Sequence, residues 1–145
     1  MNPNITIEKI MTESTLSVKA KDSLKTIDDI FNKFPFHHIP VVNDELEVIG
    51  IISKTDVHTF LKKLTEESSG KYYAQVTIEN TKAEDIMTPD PYVIDPDDTI
   101  GLAADIFLAN TIHALPVVEM GKLTGIITTH DLLQYAYKGV LNGKD

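Results

Sequence analysis

One phrase occurs twice in this chain. Glu8, Ile10, Met11 and Thr12 return as Glu84, Ile86, Met87 and Thr88, and Asp29-Ile30-Phe31 returns as Asp105-Ile106-Phe107 in the same register. His37-His38-Ile39-Pro40-Val41-Val42 matches His113-Ala114-Leu115-Pro116-Val117-Val118. After a single-residue shortening, Gly50-Ile51-Ile52-Ser53-Lys54-Thr55-Asp56 matches Gly125-Ile126-Ile127-Thr128-Thr129-His130-Asp131. Two copies of so long a period are too few for a solenoid, in which at least three stacked units bury a core. The duplication therefore predicts two homologous lobes. At 145 residues and 42% hydrophobic, the chain suffices for one domain of ordinary size or for two half-sized lobes sharing a core.

Composition narrows the chemistry. The absence of cysteine excludes disulfides and thiolate metal sites. The start Met-Asn-Pro-Asn-Ile-Thr lacks the basic-then-apolar order of a signal peptide, and no apolar run approaches membrane-spanning length. A soluble, cytoplasmic protein with no membrane partner is expected. A net charge of -9 speaks against a nucleic-acid polymer as partner, because such binding neutralises many phosphates with a basic stripe. All 13 basic residues are lysine. Without the planar guanidinium fork, any phosphate must be held by backbone amides, hydroxyls, lysine or protonated histidine.

The periodicity of each copy reads as strand, helix, strand, strand, helix. Leu16 and Val18 alternate with polar residues; Asp22 or Ser23 is placed to cap a helix carrying Leu24, Ile27, Ile30, Phe31 and Phe34, which Pro35 stops. Ile39 to Val42 and Val48 to Ile52 read as buried strands around Asn43-Asp44-Glu45, and Val57, Phe60, Leu61 and Leu64 mark a second amphipathic helix. The second copy offers Tyr92 and Ile94, an Asp97-Asp98 cap, a helix through Ile100, Ala103, Ala104, Phe107 and Leu108 ending near Asn110, and strands Leu115 to Val118 and Leu123 to Ile127 around Met120-Gly121. Leu133, Ala136, Tyr137 and Val140 supply its closing helix. Between the copies, residues 65–70 are turn-like, while Tyr72 to Ile78 fits a helix or a strand.

The ordered set Ile-Met-Thr, hydrophobic-Pro-Val-Val and Gly-Ile-Ile-Ser/Thr-x-x-Asp, present twice, resembles the CBS-domain family. The resemblance covers residues 5–64 as a first domain and 81–141 as a second, with 65–80 as linker. It implies an α/β tandem CBS-domain pair of two pseudo-symmetric β-α-β-β-α lobes. It further implies clefts between the lobes for adenosine-containing ligands such as AMP, ADP, ATP, S-adenosylmethionine or NAD, and a homodimer formed through helices.

Site residues follow from the resemblance position by position. Asp56 and Asp131 stand where a carboxylate can accept both vicinal hydroxyls of a ribose, with Ser53 or Thr128 and helix-start amides toward phosphate; equally, Ser-x-x-Asp and Thr-x-x-Asp are helix capping boxes. His37 and His113 can reach ligand phosphate, with a charge that rises as pH falls, or can simply face the negative end of the first helix. His37 and His38 point to opposite faces of an extended segment and make no metal pair. His130 and Asp131 diverge on a helix and make no dyad. Thr12, Leu16 and Ser17, with Thr88, Tyr92 and Val93, match positions enclosing the base, or else pack as ordinary strand residues.

Family geometry then groups Thr12, Leu16, Phe36, His37 and His38 with His113, Ile126, Thr128 and Asp131 in one cleft. The other joins Thr88, Tyr92, Ile112, His113 and Ala114 to Ile51, Ser53 and Asp56. Replacement of His38 by Ala114 between the copies predicts unequal clefts. No nucleophile elbow, metalloprotease helix or phosphate-cradling glycine loop is present. No catalytic residue, metal or catalytic cofactor is therefore expected. The expected function is a regulatory, energy-sensing type of module: an adenine nucleotide (AMP, ADP or ATP) or S-adenosylmethionine binds, and an effector protein in trans reads the change, since the chain ends soon after its second copy. The alternative is a structural homodimerisation module with vestigial, empty clefts.

Overall fold

The computed structural model describes residues 1–13, 16–67 and 70–139. After a 3-10 turn at Ile7–Lys9 come β1 (Thr12–Glu13), β2 (Val18–Lys19), α1 (Leu24–Lys33), β3 (His38–Val42), β4 (Val48–Ser53), α2 (Lys54–Glu67), α3 (Lys71–Asn80), α4 (Ala83–Ile86) and β5 (Thr88–Pro89). The second half supplies α5 (Ile100–Asn110), β6 (Ala114–Glu119), β7 (Lys122–Thr128) and α6 (Thr129–Lys138). These elements form two compact units, Leu16–Asp90 and Met1–Thr15 with Pro91–Asp145. The units do not follow the repeat: each takes the Ile-Met-Thr segment of the other copy.

In the Leu16–Asp90 unit the strand order is β2-β3-β4-β5, with β2 parallel to β3 and the other pairs antiparallel. Ser23 caps α1, its hydroxyl accepting the Thr26 amide at 3.1 Å. The helical spacing of Leu24, Ile27 and Phe31 buries all three side chains. Phe34 is extended, as the residue before a proline prefers, and α1 ends there. The apolar cluster of this unit joins those residues to Val18, Ile39, Val41, Ile52, Val57 and Ala83.

The other unit has the order β1-β7-β6, both pairs antiparallel. Ile94 bridges Val117 in parallel, as Val18 pairs with Val41. Its cluster contains Ile7, Ile10 and Met11 together with Ile100, Phe107, Leu115, Ile127 and Leu132. Each unit thus carries a buried cluster of its own.

Backbone hydrogen bonds hold the exchanged segments in matching fashion. Ala83 donates to the Asp22 carbonyl at 2.8 Å, Glu84 to Ala20 at 3.0 Å, and Leu24 to Thr81 at 2.9 Å. In the other unit Ile7 donates to Asp98 at 2.8 Å, Glu8 to Pro96 at 3.0 Å, and Ile100 to Ile5 at 2.8 Å.

Several local expectations need correction. Thr99, not Asp97 or Asp98, caps α5, accepting the Leu102 amide at 3.2 Å; Asp98 instead accepts the Asp95 amide at 3.0 Å and closes the preceding turn. Asp22 does the same for Lys19 at 2.8 Å. Leu16 lies before β2, and Tyr92 lies outside the named strands, both exposed. Tyr72 to Ile78 is helical as part of α3, whose Ile78 packs on the cluster of its unit. Ser68, Ser69 and Val140 lie outside the described residues. Among the described residues, no helix is long and apolar enough to cross a membrane.

Candidate functional site

Both Ser/Thr-x-x-Asp sequences sit at a strand-to-helix junction and form reciprocal caps. The Ser53 hydroxyl accepts the Asp56 amide at 3.0 Å, and Asp56 Oδ2 accepts the Ser53 amide at 3.3 Å. At the start of α6, Thr128 Oγ1 accepts the Asp131 amide at 3.1 Å and Asp131 Oδ2 accepts the Thr128 amide at 2.9 Å. The capping reading of these residues is therefore realised in both copies. It occupies only one oxygen of each carboxylate; no described residue bonds Oδ1 of Asp56 or Asp131. That oxygen can accept from a ligand hydroxyl.

In the Met1–Thr15/Pro91–Asp145 unit, Thr12 lies opposite Ile126 on β7, and Ala114 lies opposite Thr128. The His113 carbonyl accepts the amide of Thr129, the first residue of α6, at 2.9 Å. Beside them is an open hollow of about 360 Å³, lined by Met11, Thr12, Glu13, Asp131 and Gln134. Burial pushes the Asp131 carboxyl above its ordinary range, outweighing the downward pull of the Thr128 amide and hydroxyl and of the neighbouring His130. Ile112 packs on the cluster of this unit, whereas Tyr92, Val93 and His113 are exposed.

The Leu16–Asp90 unit repeats this frame. Thr88 lies opposite Ile51, His38 opposite Ser53, and the His37 carbonyl accepts the Lys54 amide at 2.8 Å. Phe36 packs on the cluster and stacks on Phe34, with ring centroids 5.5 Å apart. Leu16 and Ser17 lead into β2.

Thr12 with Ile126, Thr128 and Asp131, and Thr88 with Ile51, Ser53 and Asp56, are thus each collected in one unit. Leu16, Phe36, His37 and His38 belong to the unit that does not contain Asp131. Tyr92, Ile112, His113 and Ala114 belong to the one that does not contain Asp56.

Three lining residues were not singled out from the sequence. Met11 and Glu13 flank Thr12, and Gln134 follows Asp131 by one helical turn, the spacing that puts two side chains on one face. The glycines of the Gly-Ile-Ile segments also have an unforeseen purpose. A Cβ on Gly125 would stand 2.6 Å from the Thr12 carbonyl oxygen, and one on Gly50 would collide with Met87 Sδ. The two strongest motifs of the sequence therefore meet in space, the glycine of one copy giving room to the Ile-Met-Thr segment of the other. No group of three or more histidine, aspartate or glutamate side chains suited to a metal ion occurs among the described residues.

The CBS-domain family model matches residues 7–63 and 83–138. CBSX2, a CBS-pair protein of Arabidopsis thaliana, in its complex with AMP superposes with a TM-score of 0.76 at 24% identity, over 92% of this chain and 97% of that one. A CBS domain pair in complex with 5′-methylthioadenosine and S-adenosyl-L-methionine superposes at 0.78 and 19% identity, over 95% and 100%. The homoserine O-acetyltransferase of Methanococcoides burtonii is 29% identical over 87% of this chain and 23% of its own. The first curated relatives it matches are much longer: the chain spans 23% to 42% of their length.

Proposed function

Because the chain belongs to the CBS-domain family, with two tandem domains, we propose that it is a regulatory module that binds an adenosine ligand. In each half-site an aspartate, Asp131 or Asp56, holds the ribose through its second carboxylate oxygen. The observation that carries this reading is the hollow beside Asp131, onto which a half-buried, cap-oriented carboxylate opens. AMP in one neighbour and methylthioadenosine and S-adenosylmethionine in the other support the ligand class. Thr12 and Thr88 stand beside the base or sugar. The two copies carry unequal residues at His38 and Ala114, so two classes of affinity are expected. Ligand binding shifts the module between conformations only by its differential affinity for them, and an effector protein reads the favoured one.

The match to homoserine O-acetyltransferase covers under a quarter of that enzyme, and it supports a shared regulatory part rather than shared catalysis. We place the chain in the cytoplasm as a homodimer. A second reading, a structural dimerisation module with empty clefts, is favoured by the completeness of both capping boxes, which accounts for Ser53, Asp56, Thr128 and Asp131 without any ligand.

A thermal-shift screen with AMP, ADP, ATP, S-adenosylmethionine, methylthioadenosine and NAD separates the two readings. A ligand that binds only the folded form at a hundredfold excess over its Kd stabilises by about 2.7 kcal/mol. A rise in Tm that Asp131→Ala and Asp56→Ala together abolish supports sensing. No rise with any of the six supports the structural module.

A further inference from the structure

We propose that Glu13 sets the charge of the ligand accepted by the Met1–Thr15/Pro91–Asp145 unit, favouring an adenine nucleoside whose 5′ substituent is neutral or cationic over one ending in phosphate. This rests on the adenosine reading of the hollow beside Asp131. Two carboxylate residues, Glu13 and Asp131, line that hollow, and the other three lining residues, Met11, Thr12 and Gln134, carry no charge. Asp131 is engaged with the ribose in this reading and is fixed at the head of α6 by its bond to the Thr128 amide. Glu13 is held at the rim by its strand, whose backbone pairs with Gly125. A phosphate in the hollow therefore meets a second carboxylate residue and, among the described lining residues, no cation. One like charge at about 4 Å in water is worth about fivefold in affinity, and more where water is excluded. A thioether avoids that repulsion, and a sulfonium or ammonium reverses it.

The duplication supplies an internal control. The counterpart of Glu13 in the second copy is Pro89, and that of Gln134 is Thr59. The charge preference thus belongs to one unit only.

Isothermal titration calorimetry of the full chain carrying Asp56→Ala isolates this unit, using 5′-methylthioadenosine, S-adenosylmethionine and AMP, which share the adenosine and differ in 5′ charge. The first two bind at least about fivefold more tightly than AMP, the Coulomb factor above. Glu13→Gln raises AMP affinity by about that factor while leaving methylthioadenosine unchanged, and Glu13→Lys places AMP first. With Glu13 unaltered, added salt strengthens AMP relative to methylthioadenosine, because it screens the repulsion; this readout needs no change at the rim. In an Asp131→Ala chain, Glu13→Gln has no effect on binding to the other unit. AMP binding as tightly as methylthioadenosine, indifferent to salt and to Glu13→Gln, overturns the charge selection and leaves the adenosine site standing. Failure of all three nucleosides to bind the Asp56→Ala chain overturns the adenosine reading itself, and the selection with it.

Discussion

At Asp131 burial raises the carboxyl pKa while the Thr128 amide and hydroxyl and His130 lower it, and burial wins. A carboxyl that is harder to ionise folded than unfolded binds more protons in the native state, so its contribution to stability falls as pH rises through the acid range. Asp131→Asn keeps a carbonyl oxygen to accept the Thr128 amide and removes the cost of a half-buried charge. The Asn variant is therefore expected to melt no lower than the parent at neutral pH. Its advantage should shrink as pH falls, while adenosine binding is lost, because a neutral amide is a weaker ribose acceptor. Melting curves across the acid-to-neutral range read the first outcome and calorimetry the second. A large loss of stability at neutral pH would show that the charge chiefly serves the helix cap. Gly125 and Gly50 give a second test. An added Cβ meets a backbone oxygen at Gly125 but chiefly a methionine side chain at Gly50. Overpacking costs ~1–3 kcal/mol, and Gly125→Ala should lie at the upper end, with Gly50→Ala below it because Met87 can change rotamer. Denaturant unfolding gives both values, and an equal or reversed order refutes the comparison.

Among elements, the exchanged segments dominate. Ile7 and Ile10 are fully buried in a unit otherwise built from the second copy. Ile7→Ala should cost ~2–5 kcal/mol and loosen the unit holding α5 and α6 rather than α1 and α2. Amide hydrogen exchange resolved by segment distinguishes the two, and loss of protection confined to α1 and α2 would contradict the exchange. The helices were legible because each carries enough turns for its apolar spacing to repeat, and the core positions Leu24, Ile27, Phe31, Ile100, Ala103 and Phe107 follow from that spacing. The two-residue strands β1 and β5 were not, since alternation cannot be read from Thr12–Glu13 or Thr88–Pro89. Nor does repetition reveal pairing: it says that Met11 resembles Met87, not that Met11 packs near Gly125. At α5, Asp97, Asp98 and Thr99 are all competent caps by residue type, and only the backbone geometry selects Thr99. The Ser/Thr-x-x-Asp junctions were readable as residues, while the capping and ligand roles share the same letters and separate only when the two carboxylate oxygens are followed individually.

For the whole molecule, the helices through which the resemblance implies a homodimer differ in what they leave exposed. Val57 is fully buried within its own unit, and Phe60 and Leu61 pack against the same cluster. Leu133 and Tyr137, one turn apart on α6, are 67% and 86% exposed. The proposed homodimer should therefore depend on α6. Light scattering at micromolar concentration is expected to give two chains for the parent and one for Leu133→Glu/Tyr137→Glu; a parent mass of one chain rejects the dimer. The exchange of segments also dictates an order of events during translation. Leu16–Asp90 is contiguous and can close while the ribosome is still adding later residues, at ~5–20 residues per second. Ile7, Ile10 and Met11 precede that unit in the chain and yet must wait, apolar and unsheltered, until α5 and β7 have been made. A stretch made before the contiguous unit thus settles after it, and it is there that chaperone contact is to be expected.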